Sequence, residues 1–383
     1  MANEKPLRSI RVLECGGFIT GPYASMLLAD MGADVIKVER PDGGDPFRSF
    51  RGGLYSPHFQ AYNRNKRSIT LDTRQTDDLA VFDELLSTAD VFIQNSRPGI
   101  AKKLGLDAER LMKINPKLIY CSISGFGSGG PYVDRPTYDT VAQAMSGFLN
   151  MLVDPAAPKV MGPAIADAVT GLYASNGIMA ALIERGITGK GRLIEVSMLE
   201  AMTHFSIEPY SNYFNSGVTP GPYGRAAVSQ SYVLACADDK LVALHLSSPE
   251  KFWTGLVAAT EHPQLAADPR FATRMDRVDH HEALRLELAL LFRAKTRQQW
   301  LDALVANDVP CAPVYDLDEA LEDPQAKFMN LEIRAVHPTE GEVRTIRPAI
   351  TIDGNVPVEF LPPPTLGEHS EEIRKELRRI SAA

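Results

Sequence analysis

The first 215 residues alternate between short apolar segments and amphipathic stretches, and this alternation constrains the fold more than any other feature. Six segments have the apolar, β-branched character of buried strands: 10–14, 33–39, 68–71, 89–94, 118–124 and 192–197. Helices are predicted between them, near 22–31, 76–87, 108–114, 139–151 and 164–185. Strands that alternate with helices form a parallel sheet covered on both faces. The sequence therefore predicts an α/β fold with a large Rossmann-like domain.

The pattern changes after about residue 215, where a Pro- and Gly-rich segment, 218–224, marks a boundary. The segments predicted beyond it are a hairpin over 231–236 and 240–245, helices near 249–260 and 281–307, an extended tail and a helix over 370–379. We therefore predict a large domain over 1–215, a smaller α+β domain over 225–325, and a C-terminal segment, 326–383, that returns to the large domain.

Composition excludes several classes of protein. A net charge of -8 argues against a nucleic-acid partner, and no apolar run is long enough to cross a membrane. The N-terminal residues lack the apolar core of a signal peptide, so a cytoplasmic location is expected. The cysteines have no metal-ligand spacing, and no metal site is predicted: Cys15, Cys121, Cys236 and Cys311.

Asp167 is the only carboxylate in a long run of small and apolar residues, 160–182. Burial of a lone acid is costly unless the protein uses it. We expect the amides of the helix N-terminus to stabilise its charged form, which would leave a desolvated nucleophile or base. The alternative is an acid that only begins the helix.

A nicotinamide or flavin site is the first alternative to consider for such a fold. Glu39 ends the second strand, where a ribose-binding acid is expected. However, the turn over 15–22 is not GxGxxG, and Pro22 removes an amide that a pyrophosphate would need. This class is not favoured.

Arg40 directly follows the second strand, and a basic stretch comes next, between residues 46 and 75, with only Asp72 opposing it in the sequence. Its members are Arg48, Arg51, Arg64, Lys66, Arg67 and Arg74. Because ligands of open parallel sheets bind beyond the carboxyl ends of the strands, these cations suit a small polyphosphate. A solvated charged surface is the alternative.

A glycine-rich stretch, 124–131, follows the fifth strand and permits close approach to the backbone. Tyr138 and Asp139 come soon after it. Tyr138 could equally be an aromatic residue of the core, and Asp139 could be the cap that begins the following helix.

Several segments, in order, resemble the class III CoA-transferases, the superfamily that includes formyl-CoA transferase, carnitine CoA-transferase and α-methylacyl-CoA racemase. They are 27–41, 63–68, 95–99, 125–127, 135–139 and 186–198. The resemblance implies two chains threaded into an interlocked homodimer. It also implies that coenzyme A enters as a carried group of the substrate, with no cofactor permanently bound.

The resemblance assigns roles to individual residues. Asp167 matches the catalytic aspartate, which attacks an acyl-CoA thioester to form a mixed anhydride and then an aspartyl–CoA thioester, from which an acceptor acid receives CoA. The positions implied to contact substrate or CoA are Arg40, Arg74, Asn95, Lys103, Tyr138 and Asp139.

The same resemblance leaves a racemase as the alternative activity. Racemases of this superfamily carry His at the position that is Tyr138 here, immediately before the acid at position 139. That His provides a second base for the α-carbon. A tyrosine hydroxyl keeps its proton at neutral pH, so a transferase is favoured. A CoA-binding protein without turnover is a third possibility, which the intact Asp167 argues against.

Two departures argue against formyl-CoA/oxalate specificity. Ile19 stands where formyl-CoA transferase has Gln, and the segment 223–230 lacks that enzyme's Gly-Gly-Gly loop. Arg225, within this segment, is a candidate for binding the second carboxylate of a substrate such as succinate, with a surface role as the alternative.

Overall fold

The computed structural model of the chain describes residues 5–381. The strands are β1 Arg11–Glu14, β2 Asp34–Glu39, β3 Lys66–Thr70, β4 Val91–Gln94, β5 Ile119–Ser124, β6 Arg192–Ser197, β7 Ser231–Ala235, β8 Leu241–His245, β9 Cys311–Pro313, β10 Glu332–His337 and β11 Gly341–Ile346. The helices are α1 Thr20–Asp30, α2 Pro57–Gln60, α3 Thr76–Ser87, α4 Ile100–Lys103, α5 Ala108–Ile114, α6 Asp139–Met145, α7 Ile165–Thr188, α8 Met198–Phe205, α9 Ile207–Ser216, α10 Gly224–Ser229, α11 Glu250–Thr260, α12 Gln264–Ala267, α13 Arg274–Asp279, α14 His281–Phe292, α15 Arg297–Ala306, α16 Leu317–Glu322, α17 Pro324–Phe328 and α18 Ser370–Ser381.

The chain divides into two compact units. The larger contains the described residues up to Leu149, Val160–Glu208 and those from Asn330 onwards. The smaller contains Asn150–Lys159 and Pro209–Met329.

The larger unit is built on a six-stranded sheet with the order β3-β2-β1-β4-β5-β6, and every neighbouring pair is parallel. The predicted α/β class with a parallel sheet is therefore confirmed. The strand order reverses between β1 and β4, because β2 and β3 lie on one side of β1 and β4 to β6 on the other. Such a reversal opens a crevice at the carboxyl ends of the two central strands.

Alternate strand residues bury opposite faces of this sheet, as the period of two requires. Val12 packs on the face covered by α1 and α7, together with Leu28 and Ile178. Leu13 packs on the other face with Phe82 of α3 and with residues of α5 and α18. Burial on both faces explains why β1, β2, β4 and β5 contain consecutive apolar residues in the sequence.

The smaller unit contains the antiparallel sheet β7-β8-β9 and a core that includes Trp253, Leu288 and Trp300. The prediction of a single helical stretch over 281–307 is wrong, because α14 ends at Phe292 and a separate helix, α15, begins at Arg297. Thr296 begins α15 with a capping box to Gln299, and the indole N–H of Trp300 donates to the Phe292 carbonyl at 2.8 Å. The predicted hairpin over 231–245 is present as β7 and β8.

The tail of the chain forms the antiparallel hairpin β10–β11 before α18 packs against β3 and α3. None of the helices formed by residues 5–381 is both long and apolar enough to span a bilayer.

Candidate active site

A cavity of ≈ 600 Å³ opens at the carboxyl ends of the central strands of the larger unit. Its walls come from the segments that follow β1, β4 and β5, including Phe18, Asn95 and Gly125, and from the starts of α6 and α7. This location is the crevice expected at the reversal of strand order.

Asp167 lines this cavity as the third residue of α7. The residue before the helix, Ala164, has no side chain that could cap it. Instead, Asp139 at the start of α6 accepts the backbone N–H of Ala166 at 2.7 Å and that of Asp167 at 3.3 Å, both on Oδ1. The cap of the Asp167 helix therefore comes from another helix.

Burial raises the pKa of Asp167 to about 7, and the charge of Asp139 adds to this increase. The expectation that helix amides would favour the charged form is wrong. The physical reason is that the amides of Ala166 and Asp167 donate to Asp139. The result is a carboxyl group that ionises close to neutral pH and is more basic than an ordinary aspartate.

Gln143 holds Asp139 in place from within α6. Its Nε2 donates to Oδ2 of Asp139 at 2.6 Å, and its side chain is almost fully buried. Gln143 was not predicted from the sequence, although its spacing of four residues from Asp139 on one helix was a usable signal.

Asn95 lies in the cavity wall, but its amide group is engaged by the loop after β1. Oδ1 accepts the N–H of Gly17 at 3.0 Å, and Nδ2 donates to the Gly17 carbonyl at 2.8 Å and to Oγ1 of Thr20 at 2.9 Å. The structure thus gives Asn95 a role in shaping the cavity wall.

The same loop is held from its other side by Asp45, which the sequence analysis also missed. Oδ1 of this buried residue accepts the N–H of Phe18 at 3.0 Å, and Oδ2 lies 2.9 Å from Nζ of buried Lys37. Phe18 consequently adopts a left-handed conformation, with φ of 61°, that is uncommon outside glycine. Its ring packs edge-on against the exposed ring of Tyr138, another lining residue, with the two ring centres 5.8 Å apart.

Tyr62 is a further neighbour of the carboxylate pair. Burial raises the pKa of its phenol, and the charges of Asp167 and Asp139 contribute to the same shift. No sequence signal separated this tyrosine from the other aromatics of the segment.

Four of the predicted site residues thus line one cavity: Asn95, Tyr138, Asp139 and Asp167. The other three are exposed and are not among its lining residues. Arg40 has Nε 3.9 Å from a carboxylate oxygen of Asp42. The side chain of Arg74 donates two hydrogen bonds to Asp72, and Lys103 ends α4.

The interpretation of the whole basic stretch as a phosphate-binding cluster is wrong for four of its members. Each is engaged by a carboxylate from another part of the sequence: Arg48 by Glu39, Arg64 by Asp30, Lys66 by Glu14 and Arg67 by Asp34. Folding brings these partners together, so Asp72 is far from being the only opposing charge.

One fully buried group of charges is centred on Glu14, next to the loop that follows β1. Burial opposes the charge of Glu14, but Lys37 and Lys66 outweigh it and lower the pKa of this carboxyl to about 2. Among residues 5–381, no group of three or more His, Cys, Asp or Glu side chains has the arrangement of a metal site.

Comparison with known proteins decides the family. The model of "CoA-transferase family III" matches residues 7–370. The chain belongs to this family. Succinate–glutarate CoA-transferase of Agrobacterium fabrum is 37% identical to it, with 99% of this chain and 98% of that one covered.

Further relatives agree with this membership. Acetyl-CoA:oxalate CoA-transferase of Acetobacter aceti is 33% identical, over 97% of this chain and 95% of the relative. The crystal structure of a CAIB/BAIF family protein from Brucella suis has a TM-score of 0.86 and 35% identity, and the match covers 98% of this chain and 100% of that one. The predicted resemblance to class III CoA-transferases is confirmed, and the chain is a CoA-transferase enzyme. The racemase alternative is not favoured.

Proposed function

We propose that this family III CoA-transferase moves CoA from an acyl-CoA thioester to a small dicarboxylic acid through a covalent intermediate on Asp167. The observation that carries the proposal is the position of Asp167. Its carboxyl lines the cavity at the reversal of strand order, and its pKa is raised to about 7. A desolvated carboxylate that ionises near neutral pH is suited to nucleophilic attack.

The proposed reaction needs no separate acid or base. A carboxylate oxygen of Asp167 attacks the thioester carbon, the C–S bond breaks, and a mixed anhydride and CoA thiolate form. The thiolate attacks the aspartyl carbonyl, which releases the donor acid as its carboxylate and leaves an aspartyl–CoA thioester.

The second half of the reaction repeats these steps in reverse order. The acceptor carboxylate attacks the aspartyl–CoA thioester, and the C–S bond breaks to give a new mixed anhydride and CoA thiolate. The thiolate then attacks the acyl carbon of the acceptor, so the new acyl-CoA leaves and the Asp167 carboxylate is restored. A carboxylate suits this chemistry because the anhydride preserves the activation of the thioester, which a serine ester would lose.

Asp139 has a positioning role in this proposal. It keeps the start of α7 in place by accepting the amides of Ala166 and Asp167, and its charge keeps the Asp167 carboxylate basic. Tyr138, which shares the cavity, is proposed to contact the substrate.

The proposed class of acid rests on the relatives. Their names specify succinate and glutarate in one case and oxalate in the other, which are all dicarboxylic acids. For CoA we retain the predicted contacts at Arg40, Arg74 and Lys103. Asn95, by contrast, is proposed to act through the Gly17 loop that it binds.

An interlocked homodimer remains part of the proposal. Apolar side chains that are well exposed on the larger unit support it, notably Ile183 (71% exposed) and Ile187 (84%) on α7 and Leu193 (48%) on the edge strand β6. Light scattering should give twice the chain mass at all concentrations, because interlocked chains separate only on unfolding. The domain limits 1–215, 225–325 and 326–383, the α+β class of the small domain and a cytoplasmic location also remain predictions.

The test of the proposed function is a CoA-transfer assay on the full chain. Succinyl-CoA and glutarate should give glutaryl-CoA and succinate in equal amounts, as followed by liquid chromatography. The racemase alternative predicts instead that a 2-methylacyl-CoA exchanges its α-proton in deuterated water without an added acid. A CoA-binding protein without turnover would bind CoA and catalyse neither reaction.

A further inference from the structure

The charged side chains that line the cavity form two pairs of opposite sign. Asp139 and Asp167 supply two carboxylates, and Arg97 and Arg135 supply two guanidinium groups. A dicarboxylic acyl group must bring one end to Asp167, where two carboxylates repel its other, ionised end. That second carboxylate therefore requires a cation in the cavity wall.

Arg135 is held by the aromatic rings of its own loop. Its guanidinium carbon lies 4.5 Å from the ring centre of Tyr132 and 5.9 Å from that of Phe126. Stacking on a ring face fixes the plane of a guanidinium but leaves the N–H groups at its edge available. Within residues 5–381, no carboxylate lies in ion-pair distance of this side chain and no side-chain hydrogen bond from it is present.

The missing carboxylate sets Arg135 apart from the other ring-stacked cations of the described chain. Six further cations stack on aromatic rings, and each also binds an acid: Arg48 with Glu39, Lys251 with Asp308, Arg270 with Asp268, Arg277 with Glu250, Lys295 with Glu261 and Arg297 with Glu319. Arg135 combines the same stacking with a place in the active-site cavity and an unused charge.

We propose that Arg135 binds the distal carboxylate of the dicarboxylic acyl group and thereby selects dicarboxylic over monocarboxylic substrates. The inference rests on the proposed function and adds a specificity-determining residue to it. The flat fork of Arg135 matches the two oxygens of a carboxylate, so both can be bound at once. The sequence hypothesis gave this role to Arg225, which belongs to the smaller unit.

Arg97 is the other cation of the cavity wall. A cation at this site could bind either the carboxylate of an acyl group or a phosphate of CoA. Arg97 lies two residues after Asn95, in the segment where the family resemblance implies CoA contacts. A phosphate of CoA is therefore the competing source of negative charge for Arg135 as well, and the test must separate a phosphate from a carboxylate.

The test compares glutarate with valerate, an acid of equal chain length that lacks the second carboxylate. Wild type and Arg135→Met are assayed with each acceptor and one common acyl-CoA donor, and Arg135→Lys restores the charge without the fork. Arg270→Met is the matched control, because Arg270 also stacks on a ring but already binds Asp268. We expect Arg135→Met to reduce the glutarate-to-valerate ratio of kcat/KM by about 10–100-fold. Arg135→Lys should be intermediate and Arg270→Met unchanged.

Calorimetric titration of free CoA separates the two sources of charge. The proposal requires Arg135→Met to bind CoA as the wild type does. Weaker CoA binding with an unchanged acceptor ratio would assign Arg135 to a phosphate and overturn the proposal, as would an intact ratio in Arg135→Met that is lost in Arg225→Met.

Failure of the proposed function is visible separately, because wild type would then show no transfer to either acid. In that case, equilibrium binding of glutarate and valerate in the presence of CoA still tests Arg135. Preference for glutarate that disappears in Arg135→Met supports the assignment, and equal binding of the two acids by wild type contradicts it.

Discussion

Oδ1 of Asp139 accepts the backbone N–H of Asp167 at 3.3 Å, so two carboxylates share the start of one helix and one of them receives its amides. Because Asp139 is both the cap and the nearest negative charge, it keeps Asp167 fixed and also makes it harder to ionise. Position and basicity of the proposed nucleophile therefore depend on the same neighbour.

A variant that removes the negative charge of Asp139 but keeps its hydrogen-bond acceptor tests that dependence. Asp139→Asn keeps an oxygen for the two amides and removes the negative charge, so the pKa of Asp167 should fall by on the order of one pH unit. The acidic limb of the kcat profile should move to lower pH by the same amount. Asp134→Asn, which removes an exposed acid of the preceding loop, is the control. An unmoved limb in Asp139→Asn would show that burial alone sets the basicity of Asp167.

The raised pKa of Asp167 also predicts a cost in stability. The pKa of this aspartate is 3.8 in the absence of such shifts and is raised to about 7 in this fold. Between these values the folded state binds a proton that the unfolded state has lost, so the free energy of unfolding falls as pH rises through this window.

Asp167→Asn removes this loss together with the activity. The variant should be more stable than wild type by on the order of 2 kcal/mol above neutral pH, allowing for solvent screening at a partly exposed group. Thermal unfolding at about pH 5.5 and about pH 8.5 should show the advantage growing with pH. A stability difference that does not depend on pH would contradict the shifted pKa.

Substitution of Asn95 tests whether this residue supports the cavity wall or contacts CoA directly. Asn95→Ala removes three hydrogen bonds to Gly17 and Thr20 and should destabilise the protein by about 1–3 kcal/mol. We expect a lower Tm and a higher KM for acyl-CoA, because the cavity wall loosens. Unchanged Tm with weaker CoA binding would instead make Asn95 a direct CoA contact.

Arg40 should contribute to binding and not to chemistry. Arg40→Ala removes an exposed guanidinium at the proposed phosphate end of CoA, so the KM for acyl-CoA should increase about tenfold while kcat is retained. Arg285→Ala, which removes a half-buried arginine paired within its own helix, should change neither constant. Equal KM values for Arg40→Ala and wild type would remove Arg40 from the site.

The fold could be predicted because its signals are local. Central strands buried on both faces contain consecutive apolar residues, as 91–93 of β4 do. The edge strand β6 was predicted with the limits that it has, Arg192–Ser197. The break between α14 and α15 was missed, although the polar run 295–299 and the capping box of Thr296 with Gln299 mark it.

The candidate site was predicted only in part, because charge pairing is a long-range property. Arg64 binds Asp30, from which it is separated by 34 residues, and nothing in the sequence connects the two. The sequence likewise identified Asp139 and Asp167 but not their relationship, since the cap of α7 comes from a helix 26 residues earlier in the chain, counted from the first residue of each. Prediction from residues found the groups, and folding determined which of them interact.

The most direct measurement is mass spectrometry of the full chain mixed with acyl-CoA thioesters and trapped with hydroxylamine. Succinyl-, acetyl-, formyl- and branched acyl-CoA serve as donors, and Asp167→Asn serves as the control. A hydroxamate is expected on Asp167 with at least one donor, and none is expected in Asp167→Asn. An enzyme that transfers CoA to glutarate but never forms an adduct at Asp167 would contradict the covalent aspartyl intermediate.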